Sequence, residues 1–131
     1  MNDKSYAIIW IDHREAKIFH ISAIDAEPVI VYSSASGRHL QHKANTTGSG
    51  HKGVDKEFFE RVIDALVGID LLLVTGPATA KSELNNYISS HHAAMAKKIS
   101  AVEALDHPSD SALVALARKF FKVPEGMRKA V

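Results

Sequence analysis

The chain has 131 residues, of which 46% are hydrophobic and 24% charged, and its formal net charge is +1. This composition is ordinary for a globular domain and excludes a basic field over the whole molecule, so any attraction to nucleic acid must come from a local patch. The absence of cysteine excludes disulfide-linked partners, a thiol nucleophile and a thiolate metal site. No apolar run approaches the roughly 18 residues of a membrane span, so we expect a cytoplasmic protein with no membrane partner.

The N-terminal part of the chain predicts three strands. Tyr6–Asp12 is a short apolar run rich in strand-forming residues, and Ala16–Ile21 alternates between the two faces of a strand. The polar break at residues 13–15 makes these two strands a hairpin. Pro28 opens a third strand, residues 28–32, at the position where its missing N–H does least harm.

Residues 34–54 are predicted to form a long loop with three Lys or Arg residues, three histidines, four glycines and no carboxylate. Loops longer than about 12–15 residues are uncommon unless they bind something or are disordered. Glycines let a backbone approach phosphates and the cations supply charge, so contact with RNA is one interpretation and a solvated loop is the other. The candidate RNA-binding residues are Arg38, His39, His42, Lys43, Gly48, Gly50, His51 and Lys52, together with Lys81 of a later turn.

The second half of the chain predicts alternating helices and strands. Asp55 is the predicted N-cap of a helix that stops at Gly68, and Asp70–Thr75 is an apolar run typical of a strand covered on both faces. The remaining predictions are a second helix capped by Thr79, a fifth strand Ile99–Leu105, and a third helix that starts at residues 107–109 and has an apolar stripe of Leu113, Leu116, Ala117 and Phe120.

The predicted order βββαβαβα describes a single α/β domain with a five-stranded mixed sheet flanked by helices. If strands one, three, four and five run the same way, their C-terminal ends meet at one edge. Asp12, the long loop, the turn at residues 76–81 and the turn at residues 106–108 would then share that edge. Ligands of open α/β sheets usually bind outside it, so we expect the binding site there.

Four segments carry a family resemblance: IDHREAKIF at residues 11–19, GSGHKG at 48–53, TGPATAK at 75–81 and DHPSD at 106–110. With the order of elements, they resemble the middle domain of archaeal and eukaryotic class 1 release factors and Pelota, and more closely small bacterial relatives of that domain. The resemblance implies a ribonuclease H-like fold of the translational machinery component group and a ribosomal or RNA partner. It covers a core of about residues 5–122, with residues 123–131 as a polar tail of the same domain.

The loop departs from the release-factor pattern. Release factors carry Gly-Gly-Gln in the segment equivalent to residues 34–54, where it positions water for ester hydrolysis in the peptidyl-transferase centre. Here the nearest string is Gly48-Ser49-Gly50-His51, and Gln41 lies away from the glycines. Peptidyl-tRNA hydrolysis therefore does not follow from the resemblance. His51 is the candidate general base of a variant hydrolase, and an oligomeric scaffold is a third alternative.

Other residues have two interpretations each, and we expect neither a metal nor a cofactor. The loop histidines are imidazole ligands for zinc or simply titratable side chains. In one interpretation Asp12 and Asp106 are the acids of a two-metal nuclease; in the other, Asp12 is a turn residue and Asp106 is a helix cap. In one interpretation Lys81 lies beside a helix N-terminus that binds a phosphate; in the other, it belongs to an ordinary strand-to-helix turn. For five aromatic residues, core packing is favoured over base stacking; these are Trp10, Phe58, Phe59, Phe120 and Phe121. Tyr32, beside the loop, is a candidate for base stacking. His91 and His92 are expected on the surface.

Overall fold

The computed structural model describes residues 5–21, 26–33 and 55–123. None of the helices in these ranges is long and apolar enough to cross a membrane. The predicted order is confirmed except for one additional short helix, α3, before the last strand. The elements are β1 Tyr6–Ile11, β2 Glu15–Ile21, β3 Ala26–Tyr32, α1 Lys56–Ala65, β4 Leu71–Gly76, α2 Ala80–His91, α3 Ala93–Ala96, β5 Ile99–Ala104 and α4 Asp110–Phe121.

The strands form one mixed sheet in the order β3-β2-β1-β4-β5. β2 is antiparallel to both β1 and β3, whereas β4 is parallel to both β1 and β5. β1, β3, β4 and β5 therefore run in the same direction, as expected from the sequence. The parallel pairs β1–β4 and β4–β5 are joined through helices, because a parallel connection needs a crossover.

Alternate residues of the central strand β1 face two separate apolar clusters. Ala7, Ile9 and Ile11 pack in the cluster beneath α1 and α2, and Ile8 and Trp10 pack in the cluster beneath α4. Both faces of β1 and β4 are thus buried, which explains why these strands read as continuous apolar runs.

The N-terminal caps of the helices agree only in part with the sequence-based prediction. Asp55 caps α1, because its Oδ1 accepts a hydrogen bond from the backbone N–H of Phe58 at 3.0 Å. α4 is capped by Ser109, whose Oγ accepts from the N–H of Ala112 at 3.1 Å, so the prediction that Asp106 is the helix cap is wrong. Thr79 occupies the N-cap position of α2 without a capping hydrogen bond from its side chain.

The apolar stripe of α4 also differs from the prediction at its C-terminal end. Leu113 and Ala117 are buried as expected, but Phe120 is 37% exposed. Its neighbour Phe121 packs instead, stacked on Tyr6 with ring centroids 4.7 Å apart. The sequence could not decide between these adjacent rings, because both lie near the edge of the same helical stripe.

Candidate functional site

The C-terminal ends of four strands gather at one edge of the sheet, which we call the loop edge. The turn after β1, the end of β3, the turn between β4 and α2, and the turn between β5 and α4 all lie there. Ser33 and Asp55, the described residues on either side of the segment 34–54, both lie at this edge, since β3 ends here and α1 runs back across the sheet to the start of β4. Of the candidate RNA-binding residues, only Lys81 lies within the described residues; Arg38, His39, His42, Lys43, Gly48, Gly50, His51 and Lys52 lie outside them.

Asp12 organises the turn between β1 and β2. Its Oδ1 accepts hydrogen bonds from the backbone N–H groups of Arg14 at 2.8 Å and Glu15 at 2.9 Å. These bonds occupy the carboxylate with its own turn and leave the side chain of Arg14 exposed at the tip. Asp12 is therefore a turn residue. Within residues 5–21, 26–33 and 55–123, no group of three or more His, Asp or Glu side chains is placed to hold a metal ion.

The turn between β4 and α2 lies directly against β1. A Cβ atom added to Gly76 would lie 2.1 Å from the carbonyl oxygen of Ile11, a contact that no side chain tolerates. The neighbouring Thr75 is buried, and its hydroxyl donates to the carbonyl oxygen of Ile9 at 2.8 Å. A two-metal nuclease would need a further acid at the C-terminal end of β4. That position holds the Thr75 hydroxyl, which is hydrogen-bonded to the backbone.

The start of α2 is tied to the turn after β1 by a chain of polar contacts. Thr79 Oγ1 donates to Glu83 Oε2 at 3.1 Å, and Glu83 Oε1 contacts Nε2 of His13 at 3.1 Å. Lys81 Nζ donates to the backbone carbonyl oxygen of Ala78. Lys81 is therefore folded back over its own turn at the loop edge.

The turn between β5 and α4 is held by the single tryptophan of the chain. Trp10 Nε1 donates to the carbonyl oxygens of Asp106 at 2.6 Å and Leu105 at 3.3 Å. The His107 ring covers the indole with a centroid distance of 4.9 Å, and its Nδ1 contacts Asp106 Oδ1 at 3.0 Å. Trp10 thus packs in the core, as predicted, and its N–H fixes the backbone of a turn at the candidate site.

The end of β3 is held from two sides. The guanidinium of Arg61 in α1 donates to the carbonyl oxygen of Tyr32 from Nη1 at 2.8 Å and from Nη2 at 2.9 Å. The N–H of Ser33 donates to the carbonyl oxygen of Arg14 at 2.9 Å. Tyr32 itself is 53% exposed. Its backbone is fixed while its ring projects into solvent just before residues 34–54.

The charges of the described side chains at the loop edge are mixed. His13 contacts Glu83, Lys17 Nζ lies 3.3 Å from Asp110 Oδ1, and His107 contacts Asp106. Each of these basic groups has an acidic neighbour that reduces its attraction to an anion. These paired groups therefore add little to a positive potential at this edge.

A second polar cluster, which sequence reasoning missed, lies between α1 and the end of α2. Glu60 Oε2 accepts from the Tyr87 hydroxyl at 2.5 Å and contacts Nε2 of His92 at 2.8 Å. The hydrogen bonds from His92 and Tyr87 hold the pKa of Glu60 below its ordinary value, and the same carboxylate raises the pKa of Tyr87. His92 is paired with Glu60 and keeps 31% of its side chain exposed, and His91 is exposed, so both reach the surface as expected.

The comparisons with known proteins point in one direction. No protein-family model matches the chain. Over 108 residues, 81% of the chain, the sequence is 27% identical to a protein pelota homolog of Methanocaldococcus jannaschii and covers 29% of it. The sequence is thus similar to part of a Pelota protein.

Solved structures of similar proteins have the same fold. Pelota of Archaeoglobus fulgidus matches 90% of the chain with a TM-score of 0.61 at 17% identity, and the chain covers 32% of it. The archaeal translation termination factor aRF1 matches 91% with a TM-score of 0.55 at 15% identity, and the chain covers 35% of it. The chain thus spans about a third of the length of the proteins that it matches, and the α/β fold predicted from the sequence is confirmed.

Proposed function

We propose that the chain is a small ribosome- or RNA-associated accessory protein of the translation machinery, which binds through residues 34–54. The observation that carries this proposal is the composition of that segment, with three Lys or Arg residues, four glycines and no carboxylate. The relationship to Pelota and to a translation termination factor supports a role in translation. Within that relationship we place the chain in a bacterial branch that lacks Gly-Gly-Gln.

The geometry of the described residues supports this location for the site. β3 ends and α1 begins at the loop edge, where ligands of open α/β sheets usually bind. Arg61 and Asp55 fix the described residues on either side of the segment, through the Tyr32 carbonyl oxygen and the first turn of α1. The exposed Arg14 and the nearby Lys81 add positive charge at the same edge.

Salt dependence tests the proposal directly. If three phosphates are engaged, a plot of log K against log salt concentration has a slope of about −2 to −3. We expect this slope in titrations with unstructured RNA, together with sedimentation of the protein with ribosomal fractions of a lysate in a sucrose gradient. The absence of RNA affinity at low salt, with all protein in the top fractions, would refute the proposal.

The rival function is that of a peptidyl-tRNA or ester hydrolase with His51 as general base. A general base needs a group that orients it and donors for the developing oxyanion, and the sequence around His51 supplies no acidic neighbour before Asp55. Incubation with ribosomes and peptidyl-tRNA decides between the two. Release that His51→Ala abolishes would favour the hydrolase, whereas binding without release favours the accessory role.

The third alternative, a scaffold that assembles from copies of this chain, predicts a different observable. Sedimentation equilibrium would show a dimer or larger species that forms without RNA. Our proposal requires binding of RNA by the species that exists in solution, whether or not the protein also self-associates.

A further inference from the structure

An exposed apolar strip lies on one face of β3, beside the proposed RNA-binding segment. Tyr32 is 53% exposed and Ile30 44% exposed. Their cross-strand partners on β2 are Glu15 and Lys17. These two residues alternate with Ala16 and Ile18, which are buried on the face beneath α1 and α2. Tyr32 and Ile30 therefore lie on the opposite face, which carries α4. α4 packs on β1 and β2 on that face, and among residues 5–21, 26–33 and 55–123 both side chains of this strip stay exposed.

We propose that the Tyr32 ring is a stacking platform for an unpaired base of the RNA. This inference rests on the proposed function and specifies its ligand as single-stranded RNA with accessible bases. A tyrosine ring offers a planar π-surface on which any base stacks, whereas bases inside a duplex are not accessible in this way. In the described part of the chain, the Tyr32 ring stacks on no other aromatic ring.

The backbone of β3 favours a base over a peptide strand as the occupant of this surface. Ser33 directs its N–H toward β2, so the peptide groups of Pro28, Ile30 and Tyr32 face away from β2, where β3 forms the edge of the described part of the sheet. Pro28 has no N–H, and Arg61 already occupies the carbonyl oxygen of Tyr32. A second copy of the chain, or a peptide, that paired with β3 as an added strand would therefore lack a donor at Pro28 and an acceptor at Tyr32.

The position of Tyr32 along the chain favours RNA. Tyr32 is two positions before residue 34 in the chain, and the sequence of residues 34–54, to which the proposed function assigns RNA binding, has cations and no acids. The two Arg61 hydrogen bonds fix the backbone that carries the ring. A platform that is already ordered loses less entropy when it binds.

A matched set of variants and ligands tests the inference. Tyr32→Phe keeps the ring, and Tyr32→Leu keeps an apolar side chain without a ring. The ligands are an unstructured RNA oligonucleotide, the same length of abasic strand, and the oligonucleotide annealed to its complement. We expect Tyr32→Leu to bind the single strand about 5- to 150-fold more weakly than the parent, the range for one stacked base, and Tyr32→Phe to bind like the parent.

The controls separate stacking from charge. For the abasic strand and the duplex, Tyr32→Leu and the parent should bind equally, and the salt slope should be unchanged. Thermal melting should show that both variants are folded. A Tyr32→Trp variant adds a direct readout, because stacking of a base quenches an exposed indole while Trp10 stays covered in the core.

The outcomes are distinguishable. Equal binding of the single strand by Tyr32→Leu and Tyr32→Phe, with the salt slope intact, overturns the stacking platform and leaves the proposed function standing. Failure of the parent to bind any of the three ligands at low salt overturns both. A dimer that Tyr32→Leu dissociates, without a change in RNA affinity, assigns the strip to contacts between copies and overturns the platform.

Discussion

The guanidinium of Arg61 spans from α1 to the carbonyl oxygen of Tyr32, the last residue of β3, with two hydrogen bonds of 2.8 and 2.9 Å. This contact joins the end of an edge strand to the first helix at the point where residues 34–54 begin. It also occupies an outward-facing acceptor that an incoming strand would use. One side chain thereby orders the candidate site and protects the edge of the sheet.

We expect Arg61→Ala to lower the free energy of unfolding by about 0.5–1.5 kcal/mol, the usual net contribution of a hydrogen bond. Arg61→Lys should recover only part of this loss, because a lysine lacks the forked donors that reach one oxygen from two nitrogens. Chemical denaturation measures the difference, with Lys56→Ala on the exposed face of α1 as the control. A loss as large for Lys56→Ala would contradict the assignment.

Leu72 tests the buried strand β4. It is fully buried opposite Ala7 and packs in the cluster beneath α1 and α2. Leu72→Ala should leave a cavity and lower the unfolding free energy by about 2–5 kcal/mol. The matched control is Val67→Ala, since Val67 is 71% exposed and its truncation should change stability by less than about 0.5 kcal/mol.

Gly76, the last residue of β4, and Gly68, which lies before β4, should respond differently to alanine. Gly76→Ala places a methyl group against the Ile11 carbonyl oxygen, which belongs to the backbone of the central strand. The substitution should therefore lower the free energy of unfolding by about 3 kcal/mol or more. Gly68 has open space around it and a φ of +94°, so Gly68→Ala should cost only about 1–2 kcal/mol of backbone strain. Thermal melting of both variants measures the difference, and the reverse order would show that the turn can move away from β1.

The Glu60 cluster makes stability depend on pH. The pKa of Glu60 in the folded protein is lowered from its ordinary value of 4.5, chiefly by the hydrogen bond from His92. The stabilisation is therefore fully present above pH 4.5 and is lost as the pH falls through the lowered folded value. For Tyr87 the pKa is raised from 10.0, so its contribution is present below pH 10 and is lost at higher pH.

Melting temperatures at several pH values check this prediction. The difference in melting temperature between the parent and Glu60→Gln should be fully present at neutral pH and should shrink as the pH falls below 4.5 and through the lowered pKa of Glu60. His92→Gln and Tyr87→Phe should each lower the melting temperature by part of the amount by which Glu60→Gln lowers it. A pH-independent difference would mean that Glu60 contributes through packing alone.

Charge reversal separates the proposed interface from general electrostatics. Lys52→Glu should weaken RNA binding and reduce the magnitude of the salt slope by about 1, with a change in stability below about 0.5 kcal/mol. Lys97→Glu makes the same change in net charge at an exposed position just before β5, at the opposite end of the strand from the loop edge. Equal weakening by both variants would show that only the overall charge matters.

Much of the fold could be predicted because local sequence signals agree with it. The apolar runs of β1 and β4 are buried on both faces, and Asp55 caps its helix by the expected hydrogen bond. The cap of α4 was placed incorrectly at Asp106, because Asp106 and Ser109 both suit an N-cap and only the backbone path selects Ser109.

The site was harder to predict, because its contacts join residues far apart in the chain. The bonds from Arg61 to Tyr32, and from Trp10 to Asp106, depend on the sheet order and leave no periodic signal. The same is true of Glu60 and His92, which meet only because α1 and α2 pack side by side. The sequence does predict that Asp12 and the residues that flank segment 34–54 share one edge, since strand direction alone determines that arrangement.

Trp10 gives the protein a built-in optical reporter. It is the single tryptophan of the chain, is 3% exposed, and holds two carbonyl oxygens of the turn that leads into α4. Its emission should be that of a shielded indole, and it should change when the turn at residues 105–107 moves or when His107 lifts from the ring. An event at the loop edge that shifts this turn can therefore be followed in the unlabelled protein by fluorescence.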